Sequence, residues 1–146
     1  PCLKYTDYLI VNEVEGGMLA GIEPRDADGS LEKERLPEIC RILKKFGVAK
    51  WVVIHAPELG CAVNEDGEYF EEPSLTLPKG YIVGAVGAGD AFCAGVLYSI
   101  YRGLSVKEAL RMGAATAAAN LSAGDAIGGL RSVSETRKLY EAYGVK

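Results

Sequence analysis

The four residues Gly87-Ala88-Gly89-Asp90 are the part of this 146-residue sequence best suited to chemistry. They close an apolar run, and the spacing that follows, as far as Tyr101, is helical. Glycines at 87 and 89 admit backbone angles closed to other residues and let an oxyanion come close. The unpaired N–H groups of a first helical turn, with the helix dipole behind them, favour negative charge. Asp90 would face the same pocket. A carboxylate beside bound phosphate is repelled by it unless a metal or a substrate hydroxyl sits between them, so the pattern reads as an anion pocket with a base beside it. A plainer reading stays open: a strand-to-helix turn whose aspartate is there for its preference for helix N-termini.

A second candidate pair is Asn12 and Glu15, at the end of the apolar run Tyr8-Leu9-Ile10-Val11. Asn followed three residues later by Glu, just before a helical stretch, is a capping-box variant that needs no function. The four cysteines (Cys2, Cys40, Cys61, Cys93) lie far apart, with no Cys-x-x-Cys pair and a single histidine, His55, to assist them. Zinc is not expected. The thiols read as reduced and mostly buried, with Cys93 on the core face of the helix after Asp90, which suits a cytoplasmic protein.

The elements that must position these residues can be taken in order. Tyr8–Val11 reads as a parallel strand buried on both faces, and Gly16–Gly21 as a short helix weakened by adjacent glycines. Residues 24–30 form a polar loop. From Leu31 to Phe46 the apolar positions Leu36, Ile39, Cys40, Leu43 and Phe46 recur at helical spacing, and Gly47 stops the helix. Trp51–Ile54 is the next strand. Gly60–Val63 and Glu68–Phe70 flank the hairpin turn Asp66-Gly67, and Tyr81–Val83 continues the extended chain. Phe92, Val96, Leu97 and Ile100 would be the buried side of the helix that opens at the glycine turn. Ser105-x-x-Glu108 is a capping box for an alanine-rich, buried helix to about Ser122. Ser132-x-x-Glu135 starts a last helix anchored by Leu139, Tyr140 and Tyr143. This alternation predicts an α/β fold, three layers α/β/α, with a mostly parallel central sheet and an antiparallel edge hairpin.

Composition narrows the function. A net charge of −4 without a basic run argues against nucleic acid, and no apolar run reaches the roughly 18 residues of a membrane span. No signal peptide is visible, and a soluble, cytoplasmic protein is expected. Gly84-x-x-Gly87-x-Gly89 has the wrong spacing for a dinucleotide fingerprint.

The stretch Gly87-Ala88-Gly89-Asp90-Ala91-Phe92-Cys93-Ala94-Gly95 resembles the signature of the ribokinase-like (PfkB-type) carbohydrate kinases, which reads Asp-Thr-x-Gly-Ala-Gly-Asp-x-Phe-x-x-Gly. The resemblance implies that Asp90 is the base that takes the acceptor hydroxyl's proton. It makes the backbone of Gly87, Ala88 and Gly89 the anion hole for the migrating phosphoryl group. The family's leading Asp-Thr is Gly84-Ala85 here, which puts a monovalent cation in doubt. Asn12-x-x-Glu15 matches the family's Asn-x-x-Glu motif, whose Glu helps to hold magnesium, usually through water. Both motifs stand at carboxyl ends of strands, where open α/β sheets bind ligands. His55-x-Pro57-x-x-Gly60 stands where the family commonly has Thr-x-Gly-x-x-Gly near the nucleotide phosphates, and only Gly60 agrees. A lone histidine is more often structural, although an imidazole at a strand end can donate to phosphate. Asn120 resembles a position beside the adenine, or is simply a solvated Asn near a helix end. Gly124 opens a loop whose counterpart lines the nucleotide site.

The resemblance therefore implies that residues 1–146 are the C-terminal, nucleotide-binding and catalytic half of such a kinase, using ATP and Mg2+ to phosphorylate a sugar hydroxyl. Its partners would be the nucleotide, a small sugar and the N-terminal half that carries the lid and the sugar motif, with homodimerisation left open. This polypeptide by itself is expected to catalyse little. A nucleoside or hydroxymethylpyrimidine acceptor, and a non-catalytic nucleotide-binding or scaffold module, are the alternatives.

Overall fold

The computed structural model describes residues 2–144. The chain divides into two compact units, residues 1–71 and 72–146. The first is built on strands β1 (Tyr8–Asn12), β2 (Trp51–His55), β3 (Leu59–Val63) and β4 (Tyr69–Pro73), in that order across the sheet; the boundary between the units falls within β4.

Only β1 and β2 are parallel, paired from Tyr8↔Trp51 to Asn12↔His55. β3 returns antiparallel, with His55↔Gly60 the first pair, so the sheet is mixed, not mostly parallel as expected. Chain length explains this: the connection from His55 to Leu59 is far too short for a parallel crossover, which takes a dozen or more residues. The β3–β4 turn is the expected hairpin, with Gly67 at φ 82° and the Asn64 side chain accepting from the N–H groups of Asp66 and Glu68. β1 is half-buried along its length, not buried on both faces as expected.

Helices α1 (Glu13–Ala20) and α2 (Leu36–Lys45) pack on this sheet. Glycines at 16 and 17 let α1 approach: a Cβ at Gly16 would meet Ile54, and one at Gly17 would strike Ile22 and Pro24. The helix expected from Leu31 begins only at Leu36, after a 3-10 turn at Lys33–Arg35. An earlier start would put Pro37 in the helix interior, where its ring meets the carbonyl one turn back. From Leu36 the amphipathic pattern holds, and Leu36, Ile39, Cys40 and Leu43 are fully buried against Val52, Ile54, Cys61 and Val63.

The second unit contains α3 (Ala88–Tyr101), α4 (Val106–Leu121) and α5 (Val133–Tyr143). α3 and α4 touch where each carries a glycine: a Cβ on Gly95 would lie 2.6 Å from Thr116 Oγ1, and one on Gly113 would press on the Phe92 ring. Phe92 and Val96 are buried as expected, whereas Leu97 is half exposed. Leu139 is buried, and Tyr143 stacks edge-on against Tyr81. The expected extended strand at Tyr81–Val83 is absent, and Ile82, Val83 and Val86 are exposed. An apolar run becomes a strand only with a neighbour to pair with, and here Val83 N–H instead donates to Leu121 O, at the end of α4. Among the described residues no helix is long and apolar enough to cross a membrane.

Candidate functional site

The start of α3 is open. Gly87 is its N-cap, left-handed at φ 79°, and no side chain caps it. Its carbonyl accepts the first helical hydrogen bond, from Ala91 N–H at 2.8 Å, so the N–H groups of Ala88, Gly89 and Asp90 have no partner within the helix. Ala88 N–H turns back towards Ala85 O at 3.3 Å. By contrast α1, α4 and α5 each carry a full capping box, at Asn12/Glu15, Ser105/Glu108 and Ser132/Glu135. α2 also lacks a side-chain cap, but it continues directly from a 3-10 turn. Asp90 is exposed and Gly87, Ala88 and Gly89 are half-buried, so the bend is accessible. Gly89 corrects one expectation: it lies within the helix and is not among the glycines with positive φ, so only Gly87 uses conformations closed to other residues. Burial, then the Asp90 carboxylate, pushes the Cys93 thiol up, which leaves it a poor nucleophile. Cys93 is half-buried, while Cys40 and Cys61 are buried and Cys2 is exposed.

The bend leans on the loop after α4. A Cβ on Gly87 would sit 2.8 Å from both Cα and Cβ of Ala126, and one on Gly84 would sit 3.0 Å from Gly124 Cα and 3.1 Å from Ala123 O. A side chain at Gly84, where the signature that this stretch resembles has Asp, would be tight against this backbone. Asn120 fastens the same loop. It is not solvated: it is fully buried, and its Nδ2 donates to Ala126 O at 2.7 Å and to Asp125 O at 3.4 Å. Its Oδ1 is the one buried side-chain oxygen without a hydrogen-bond partner among the described residues. Asp125 steadies the loop from within by accepting from the N–H groups of Gly128 and Ile127, which hold its carboxyl below the usual range. The structure therefore brings Gly87, Asn120 and Gly124 to one place, with Asp90 three residues into the helix that Gly87 opens.

In the first unit, the register sets Asn12, His55 and Gly60 side by side at one end of the sheet. The Asn12–Glu15 cap is formed in both directions: Glu15 N–H donates to Asn12 Oδ1 at 2.8 Å, and Asn12 N–H donates to Glu15 Oε2 at 3.0 Å. Glu15 remains exposed, His55 is half-buried and Gly60 is buried. Among the described residues no group of three or more His, Cys, Asp or Glu could hold a metal ion. That speaks only against an all-protein cage; a magnesium site keeps several waters and needs only one or two carboxylates besides substrate phosphates.

Sequence spacing missed the cluster beside this group. Arg25 donates from Nε and Nη2 to Glu13 Oε1, at 2.9 and 2.6 Å, and from Nη1 and Nη2 to Glu58, at 3.0 and 3.1 Å. Glu13 is the first residue of α1 and Glu58 lies in the β2–β3 turn. The hydrogen bond from Arg25 holds the Glu58 carboxyl below its usual range. No motif links positions 13, 25 and 58; the only sequence signal is an arginine in a loop with acids on either side.

An α/β chain with an open, glycine-capped helix start and an accessible aspartate in its first turn belongs to a definite class. Residues 2–132 match the model of the pfkB family carbohydrate kinases, and the chain belongs to that family. Adenosine kinase 1 of Arabidopsis thaliana is 30% identical over 116 residues, which cover 77% of this chain and 32% of the relative. The structure of Arabidopsis thaliana ribokinase complexed with ribose and ATP has a TM-score of 0.77 at 24% identity, over 94% of this chain and 41% of that one. A putative ribokinase II from E. coli, in complex with ATP and Mg2+, has a TM-score of 0.73 at 19% identity, over 97% of this chain and 41% of that one. The fold is thus ribokinase-like, and the chain spans about a third of the length of the curated relative.

Proposed function

We propose that this chain is the nucleotide-binding and catalytic part of a kinase that transfers the γ-phosphoryl group of ATP to a hydroxyl of a sugar or sugar-like substrate. The observation that carries the proposal is the uncapped start of α3, where first-turn N–H groups stand beside an exposed Asp90. Phosphoryl transfer asks for positioning and charge stabilisation more than for covalent chemistry from the protein, so an anion hole and one base are a sufficient core. The backbone of Gly87, Ala88 and Gly89 receives the charge that builds on the migrating group, and Asp90 accepts the proton of the attacking hydroxyl. Glu15, with Asn12 behind it, holds magnesium through water; the metal, when bound, neutralises phosphate charge. By the family resemblance, His55 and Gly60 are assigned to the nucleotide phosphates, and Gly124, with Asn120 holding its loop, to the nucleotide site.

A nucleoside acceptor is the second reading, and the likeness to adenosine kinase 1 favours it. In either case the reading concerns a full-length protein that contains this chain. In that protein Asp90→Asn should lower turnover by about three orders of magnitude or more while the affinity for Mg·ATP, measured by calorimetry, stays within about twofold. Wild-type turnover in the variant would remove Asp90 from the mechanism. Unchanged ADP release with every sugar and nucleoside tested, from a wild-type protein that binds ATP, would favour a binding module instead.

A further inference from the structure

We infer that Arg25 is a positioning residue that ties the start of α1 to the β2–β3 turn and so fixes Asn12, Glu15, His55 and Gly60 for the nucleotide phosphates. This rests on the function proposed above and adds to it a residue that no motif marks.

The geometry is that of a clamp. Sheet pairing orders Asn12, His55 and Gly60 only as far as the strands run, and α1 and the β2–β3 turn begin where that pairing ends. Arg25 bridges that gap with every N–H-bearing nitrogen of its guanidinium. Nε and Nη2 take Glu13, which directly follows Asn12; Nη1 and Nη2 take both oxygens of Glu58, which lies between His55 and Gly60. Nη1 also donates to Gly29 O at 2.8 Å. A planar guanidinium can serve two carboxylates at fixed angles, whereas a lysine ammonium is a point charge that cannot.

The loop carrying Arg25 is itself held. Arg25 pairs with Leu31 in an isolated bridge, Glu32 N–H donates to Pro24 O, and the Asp26 side chain accepts from the N–H groups of Asp28 and Ser30. Glu13 is 7% exposed, so the arm to α1 is shielded from solvent. The two arms end at Glu13, next to Asn12, and at Glu58, between His55 and Gly60, so the cluster sets the spacing of the elements that carry the candidate residues.

The test uses the full-length protein with the variants Arg25→Lys and Glu58→Gln, and compares Mg·ATP affinity, KM, kcat and Tm. Glu58 is on the surface, and its variant breaks one arm without burying an unpaired charge. Arg25→Lys is expected to raise both the Kd and the KM for Mg·ATP about tenfold, as loss of a supporting contact behind binding groups does. Glu58→Gln is expected to move them the same way by a smaller factor, and kcat should stay within about twofold. Variants that melt earlier yet bind Mg·ATP as wild type does would show a purely structural role and overturn the inference alone. A wild-type protein that binds no Mg·ATP would overturn it together with the proposed function.

Discussion

Gly87 and Gly21 offer a controlled pair at the scale of single residues. Both are left-handed helix caps, at φ 79° and 74°, but a Cβ on Gly21 would meet nothing within 4 Å, whereas one on Gly87 would sit 2.8 Å from Ala126. Alanine at Gly21 should therefore cost only the left-handed conformation, about 1–2 kcal/mol. Alanine at Gly87 should cost that and a further 1–3 kcal/mol or so for overpacking, because the obstacle is backbone and cannot rotate away. Urea unfolding of the two variants beside wild type checks this, and equal losses would mean that the 124–130 loop yields freely. The glycine turn was legible in the sequence because glycine spacing and a following helix are local signals. Asn120 was not, since a buried Asn that holds a loop and a solvated Asn at a helix end look alike until the loop's path is known. That Gly84 lies tight against Gly124 is likewise visible only in the structure.

The same contrast runs through the secondary-structure elements. The capping boxes read at Asn12 and Ser105 are formed, and the helix start read at Ser132 also closes as one, because cap and partner lie three residues apart and need nothing distant. The missing strand at Tyr81–Val83, the delayed start of α2 and the antiparallel turn of β3 depended on neighbours or on chain length, which hydrophobic pattern alone does not carry. The packing of α3 on α4 is intermediate: the alanine-rich, buried α4 was legible, but only the structure shows that Gly95 and Gly113 stand at the contact. Helix propensity favours alanine over glycine there by about 1 kcal/mol. Against that, a Cβ at Gly95 would lie 2.7 Å from Met112 O and 2.9 Å from Gly113 Cα. Those atoms belong to the α4 backbone, so the helices must separate at a cost of about 1–3 kcal/mol, and steric strain should win. Gly95→Ala is expected to lower Tm despite improving local propensity. A variant as stable as wild type would show that α3 can slide on α4 without penalty.

For the molecule as a whole, the 20 acidic side chains against 16 basic ones make carboxylates the groups whose titration decides stability in acid. Glu72 is one such carboxylate in the second unit, and a buried one. It is 5% exposed and accepts from Arg111 Nε at 3.1 Å and from the Tyr140 hydroxyl at 2.9 Å, with Lys107 Nζ 3.2 Å away. Burial alone would raise its pKa, but the bonds from Arg111, Tyr140 and Lys107 outweigh burial and hold it below its ordinary value of 4.5. In the first unit the hydrogen bond from Arg25 lowers Glu58 in the same way. A carboxylate whose folded-state pKa is depressed stabilises the fold fully above its unfolded value, and that contribution disappears as pH falls through the folded one. Glu72→Gln removes the charge but keeps the shape, and at pH 7 it should cost about 2 kcal/mol, as the loss of hydrogen bonds to a charged group does. Because Lys107 and Arg111 reach solvent, they can rehydrate instead of being stranded. Below about pH 4.5 the carboxyl of the unfolded chain takes up a proton that the folded one still resists, so the difference in Tm between wild type and variant should narrow as pH falls towards 3. Thermal melts followed by far-UV circular dichroism at pH 7, 5, 4 and 3 measure that difference directly. A gap that stays constant down to pH 3 would mean that the cost of Glu72→Gln does not come from losing the carboxylate charge, and that the ion pairs of Glu72 add nothing.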